Sequence, residues 1–143
     1  MGISKATAQW QGSFKAGKGV MKPAHGGEVG YTAGTRFEGQ PGSNPEELIG
    51  AALAGCFSMA LAVGLERAGA QPRSIRTSAD VKLEKQTDGF AITGIALSTE
   101  AEVTGIDDAQ FQQVAEATKK GCPVSKALAA IGNITLSAKL VAS

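Results

Sequence analysis

Between Asn44 and Leu65 the chain reads NPEELIGAALAGCFSMALAVGL, and this run constrains the fold more than any other. Asn44 suits an N-cap, Pro45 suits the first helical position, and Glu47 stands three residues after the cap, as in a capping box. Glu46 and Glu47 both favour the positive end of the helix dipole. The pattern predicts a helix to Ala68, stopped by Gly69, with Pro72 beyond it. At about 24 residues it would be about 36 Å long. From Leu48 to Leu65 it is apolar almost all round, which predicts burial on every face. One domain of 143 residues can hardly wrap such a helix, so a second subunit is expected to supply part of the cover.

The flanking segments read as short strands and further helices. Ser4 to Phe14 alternates weakly, Lys15 to Lys18 is turn-like, and Gly19 to Lys22 returns as a strand. Pro23 to Gly30 is a loop, Tyr31 to Phe37 is expected as a further short strand, and Glu38 to Ser43 is a loop. Ile75 to Leu83 alternates cleanly, with Ile75, Thr77, Ala79, Val81 and Leu83 on one face. Asp88-Gly89 signals a hairpin turn, and Phe90 to Val103 returns with Ile95, Leu97, Thr99, Ala101 and Val103 inward. Asp107 caps a second helix that ends at Lys119, Lys120 and Gly121, and Pro123 opens a short third one. Ile134 to Leu140 is a last strand. The order predicts an α+β fold in one domain over residues 1–143.

Several function classes lack support. A net charge of +1 without a basic run offers nothing for nucleic acid. Polar residues are read as interrupting every stretch of membrane-spanning length, and the first residues lack the apolar core of a signal peptide. A cytoplasmic protein is expected. Neither phosphate-cradling glycine motif is present. Two cysteines and one histidine, His25, do not fill a four-ligand zinc site, so no metal is expected.

The chemistry then rests on Cys56 and Cys122. Cys122 falls at the N-cap of the helix that Pro123 opens, where unpaired N–H groups favour a thiolate. Gly-Cys-Pro serves equally as a plain turn between helices. Cys56 lies twelve residues after Asn44, and apolar burial raises a thiol pKa. It is either inert core filler or a reactive thiol whose counter-charge comes from elsewhere.

The run TRFEGQPGSNPEELIGAALAGCFSMAL, with ADVKLEKQTDGFAITGIALSTEAEVTGID and AEATKKGCPVSKAL, closely resembles the OsmC branch of the OsmC/Ohr family. These are the osmotically inducible and organic-hydroperoxide-resistance proteins of bacteria. The resemblance spans essentially the whole chain. It implies an OsmC-like fold, with a long central buried helix, antiparallel sheets and an intertwined homodimer. It also implies a thiol-dependent peroxidase, without metal or organic cofactor, that reduces organic hydroperoxides and, less well, hydrogen peroxide. Cys56 resembles the peroxidatic thiol, which becomes a sulfenic acid, and Cys122 the resolving thiol, which condenses with it to a disulfide. Arg36 resembles the arginine near the reactive sulfur and Glu46 its acidic partner, with Glu47 as the other carboxylate within reach. A dithiol restores both thiols, and lipoyl-bearing proteins are the family's preferred donors.

Elementary geometry adds a constraint. Glu46 and Cys56 are ten residues apart on one helix, or about 15 Å along its axis, and point to different sides. Two such helices packed antiparallel would bring Glu46 of one chain near Cys56 of the other, so shared active sites are expected. Ala52, Gly55 and Ala60 leave room near Cys56, and Ile49, Leu53, Phe57 and Met59 offer an apolar wall. The rival reading is a non-catalytic dimer that senses oxidants through a Cys56–Cys122 disulfide or binds a small apolar ligand.

Overall fold

The computed structural model describes residues 2–141. The chain divides into two compact units, one ending at Leu48 and the other beginning at Ile49.

The first unit carries a three-stranded antiparallel sheet: β1 (Ala6–Gln11), β2 (Lys18–Pro23) and β3 (Val29–Tyr31). Its register sets Trp10 opposite Gly19 and Gly19 opposite Tyr31. A side chain at residue 19 would meet Trp10 and Tyr31 ring atoms at 2.7 and 2.6 Å, so the glycine is what lets both rings close over the sheet. The expected strand from Tyr31 to Phe37 is instead a strand end followed by a helical turn, α1 (Ala33–Phe37). Thr32 and Thr35 cause the difference. The Thr35 amide donates to Thr32 Oγ1 at 3.1 Å and the Thr32 amide to Thr35 Oγ1 at 2.9 Å, a reciprocal cap that overrides the β-propensity of these residues.

Helix α2 (Pro45–Arg67) runs unbroken. The Glu47 amide donates to Asn44 Oδ1 at 2.9 Å, the cap expected from the sequence. The reciprocal half of that capping box goes elsewhere, because Ser43 Oγ donates to the Glu47 carboxylate at 2.7 Å. At the far end Gly69 adopts a left-handed φ of 85°, and the Ala70 amide reaches back to Leu65 O at 2.9 Å.

The second unit pairs β4 (Gln71–Gln86) with β5 (Gly89–Thr104) as a long antiparallel hairpin. β4 starts four residues before the predicted Ile75, because an irregularity between Pro72 and Ser74 absorbs the proline without ending the pairing. β6 (Ile134–Val141) joins β5 in parallel. The expectation of antiparallel sheets is therefore corrected here: this sheet is mixed. The chain between β5 and β6 folds as α3 (Asp108–Gly121), α4 (Pro123–Ala127) and a short 3-10 turn (Ala129–Ile131), and a helical crossover is what parallel pairing requires.

Ile95, Leu97, Thr99, Ala101 and Val103 alternate inward on β5, as their spacing predicts. Leu53, Phe57, Leu61 and Leu65 of α2 pack on them with no exposed surface, joined by Phe111 and Ala115 of α3. Burial of α2 on every face is not what one chain shows. Ala52, Gly55, Met59 and Val63 form an open stripe, Met59 at 74% exposure, because one sheet can cover only one side.

Helix α2 is also long and apolar enough, by length and composition, to cross a membrane. This corrects the expectation that polar residues interrupt every such stretch. Ser58 is the one hydroxyl between Leu48 and Leu65, and it donates to Thr77 Oγ1 at 2.7 Å. The Leu53–Leu65 face marks α2 as a core helix.

Candidate active site

Cys56 and Cys122 meet in the second unit. Cys122 ends α3 and caps α4, as Pro123 predicts, and is almost fully buried. The Ser125 amide donates to its Sγ at 3.4 Å, and the Cys122 thiol donates to Ser125 Oγ at 3.1 Å. Cys56 sits half-buried on α2, close enough to Cys122 and to the Val124 backbone for both to act on its thiol. Burial pushes the Cys56 thiol up. The Val124 hydrogen bond opposes that, and the neighbouring Cys122 adds to the rise. Both cysteines are free thiols.

The two sulfurs border an open cavity of about 620 Å³. Met59, Ala60, Val63, Val114 and Ala117 give it apolar walls, and Arg67 stands among the lining residues. The wall anticipated from sequence is thus only partly the observed one. Of that wall Met59 takes part, whereas Leu53 and Phe57 are sealed in the core, and Ala60, expected only to leave room, also lines the cavity.

Arg36 and Glu46 meet in the first unit. Arg36 Nε donates to Glu46 Oε1 and Oε2 at 3.0 and 3.2 Å, and Nη2 donates to Oε1 at 2.7 Å. This is the fork-to-carboxylate geometry that fixes a guanidinium most firmly. Glu46 is buried, and the guanidinium carbon lies 5.0 Å from the Phe37 ring centroid. Glu47 is committed to Ser43, so Glu46 is the carboxylate that pairs with Arg36. None of the three bonds uses Nη1. Arg36 borders a cavity of about 480 Å³ with Trp10, Phe14, Tyr31, Thr32 and Phe37.

The four sequence-derived candidates therefore form two pairs, one in each unit. His25 is exposed. Among the described residues no group of three or more His, Cys, Asp or Glu is placed to hold a metal ion. Sequence reasoning missed Ser125 and the aromatic rings around Arg36. Ser125 left a readable signal, since it stands three residues after the N-cap Cys122. The aromatic cluster left none, because it depends on cross-strand register.

Residues 37–137 match the OsmC-like protein family. The chain is 51% identical over 138 residues to Peroxiredoxin OsmC of Escherichia coli (strain K12), covering 95% of each chain. Peroxiredoxin OsmC of Shigella flexneri matches equally. Among solved structures, the organic hydroperoxide resistance protein OhrB of Bacillus subtilis superimposes with a TM-score of 0.69 at 26% identity, over 96% of this chain and 98% of that one. An OsmC-like protein from Mycoplasma pneumoniae shares the fold with a TM-score of 0.73 at 12% identity, over 99% of this chain and 97% of that one. With a long helix laid on a β-sheet, two neighbouring thiols and these relatives, the chain belongs to the OsmC-like protein family.

Proposed function

We propose that this chain is a thiol-dependent peroxidase that reduces organic hydroperoxides, and hydrogen peroxide less well, through Cys56 and Cys122. The class of cysteine-based peroxidase is supported by the relatives named Peroxiredoxin OsmC. The observation that carries the two-thiol mechanism is that Cys56 and Cys122 line the same open, apolar-walled cavity.

In this reading the Cys56 thiolate attacks one peroxide oxygen. The O–O bond breaks, the departing alkoxide takes a proton and leaves as an alcohol, and Cys56 keeps the other oxygen as a sulfenic acid. Cys122 then attacks the Cys56 sulfur, an S–S bond forms, and water leaves. A dithiol reduces that disulfide to two thiols and is itself oxidised to a disulfide, with a lipoyl-bearing protein as the expected donor. No metal or organic cofactor enters these steps.

Burial pushes Cys56 towards the neutral thiol, so a cation must be brought to it. Arg36 is that cation in our reading, held by Glu46, with Nη1 left for the peroxide oxygen. Glu46 and Cys56 are ten residues apart on an unbroken helix, about 15 Å along its axis, so the guanidinium comes from a second chain. The open stripe of α2 supports this homodimer, since Met59 and Val63 are apolar and uncovered in one chain. Residues 1–143 then work as one domain in an interlocked pair, in the reducing cytoplasm, where both thiols stay reduced between turnovers. Apolar walls favour organic substrates, since each buried methylene is worth about 0.8 kcal/mol that hydrogen peroxide does not gain.

The test is brief exposure to an alkyl hydroperoxide followed by mass spectrometry, together with steady-state turnover on a dithiol. The reading expects an intramolecular Cys56–Cys122 disulfide, continuous turnover, and efficiency that rises with alkyl length until the cavity is full. A single oxidation without turnover would make the protein a sensor rather than an enzyme.

A further inference from the structure

Cys122 must lose a proton when it attacks the Cys56 sulfenic acid, yet it is only 2% exposed. Its Sγ donates to Ser125 Oγ at 3.1 Å, and the Ser125 amide donates back to Sγ at 3.4 Å. Ser125 is itself buried, at 5% exposure. It nevertheless borders a second groove, about 350 Å³ in volume, lined by Lys119, Lys120 and Lys126. That groove is separate from the cavity that Cys56 and Cys122 both line, and neither cysteine lines the lysine groove. Among the described residues, Ser125 is thus the one that both hydrogen-bonds the resolving sulfur and lines the lysine groove.

We infer that Ser125 is a positioning and proton-transfer residue for the resolving thiol, passing the Cys122 proton to solvent in the lysine-lined groove. The inference rests on the two-thiol reading above. As the Cys122–H bond breaks, its proton goes to Ser125 Oγ, and the Ser125 hydroxyl proton passes to solvent. The Cys122 electron pair forms the S–S bond, the Cys56 S–O bond breaks, and the departing hydroxide takes up a proton as water. No oxidant beyond the sulfenic acid is needed.

The charged groups around this path are Arg67 on α2, Lys119 and Lys120 on α3, and Lys126 on α4, with Glu116 paired to Lys119 at 3.0 Å. A hydroxyl suits the role: it accepts from the thiol while donating onward, which no apolar side chain of the same size can do.

Stopped-flow kinetics on Ser125→Ala and Ser125→Thr test this, with the two half-reactions followed separately. Capture of an alkyl hydroperoxide by Cys56 should match the wild-type protein in both variants. Disulfide formation should slow by about tenfold in Ser125→Ala, the scale of one lost hydrogen bond in a transition state. Ser125→Thr should restore it. Strongly alkaline buffer should also rescue Ser125→Ala, because hydroxide entering the Cys56 cavity, which Cys122 also lines, can then take the proton in place of the serine. The wild-type protein should show a solvent deuterium isotope effect on disulfide formation.

Unchanged resolution in Ser125→Ala would overturn the inference. So would slowing that neither threonine nor high pH relieves, and so would the lack of an isotope effect in the wild-type protein. The last holds whether or not Ser125→Ala folds. A protein whose Cys56 forms no sulfenic acid would refute the peroxidase reading instead, so the two failures are distinguishable.

Discussion

At the scale of single residues, the account turns on what makes one sulfur reactive and what carries away the product of its attack. Burial alone favours a neutral Cys56, and the hydrogen bond from Val124 opposes it only in part. Removing the guanidinium therefore has a predictable sign. In Arg36→Met the thiol should stay neutral until the pH rises above its elevated value, so activity should climb through the alkaline range instead of being present at neutral pH. At pH 7 the rate of peroxide capture should fall by about a hundredfold, as for the loss of one preorganised donor at a reacting oxygen. Glu46→Gln should lie between wild type and Arg36→Met, since an amide holds the guanidinium by a weaker, uncharged bond. Cys56→Ser should abolish turnover. Cys122→Ser should still capture one equivalent of peroxide and then stall, visible as a burst without a steady state. As candidates, Cys56, Cys122, Arg36 and Glu46 were all legible in the motifs. The pairing of Arg36 with Glu46 rather than Glu47 was not, because it depends on where Ser43 donates.

At the scale of elements, α2 bears on stability and, in the proposed dimer, on assembly. Its Leu53, Phe57, Leu61 and Leu65 edge is sealed in the core, so Leu61→Ala should cost about 2–5 kcal/mol, readable by denaturant unfolding. Its opposite edge should tolerate substitution in an isolated chain but not in an assembled one. Met59→Lys is expected to shift the protein from dimer to monomer in sedimentation, with loss of activity at low concentration. Local chemistry made most elements readable. Asn44 and Pro45 mark the start of α2, Gly69 its end, Asp107 the start of α3, and Asp88-Gly89 the hairpin. Two features escaped. The Thr32–Thr35 cap turned an apparent strand into a helix, because reciprocal side-chain bonds outweighed propensity over five residues. The parallel pairing of β6 also escaped, since an alternating pattern specifies a face and not a direction.

At the scale of the whole molecule, the central claim is that neither chain holds a complete site. One unit offers an anchored guanidinium beside aromatic rings, and the other offers two thiols beside an apolar cavity. The length of α2 was readable as more helix than one small domain can cover. The exposed Met59 and Val63 give that surplus a definite face. A mixture of two inactive variants measures the claim directly. Arg36→Met and Cys56→Ser chains are purified separately, mixed in equal amounts, unfolded and refolded together, and assayed with an alkyl hydroperoxide and a dithiol. If sites are shared, a mixed dimer joins the intact Cys56 of one chain to the intact Arg36 of the other. Random pairing should then restore about a quarter of wild-type activity, since half the dimers are mixed and each holds one whole site. If the refolded mixture is no more active than its separate components, Arg36 and Cys56 act within one chain and the shared-site account is wrong.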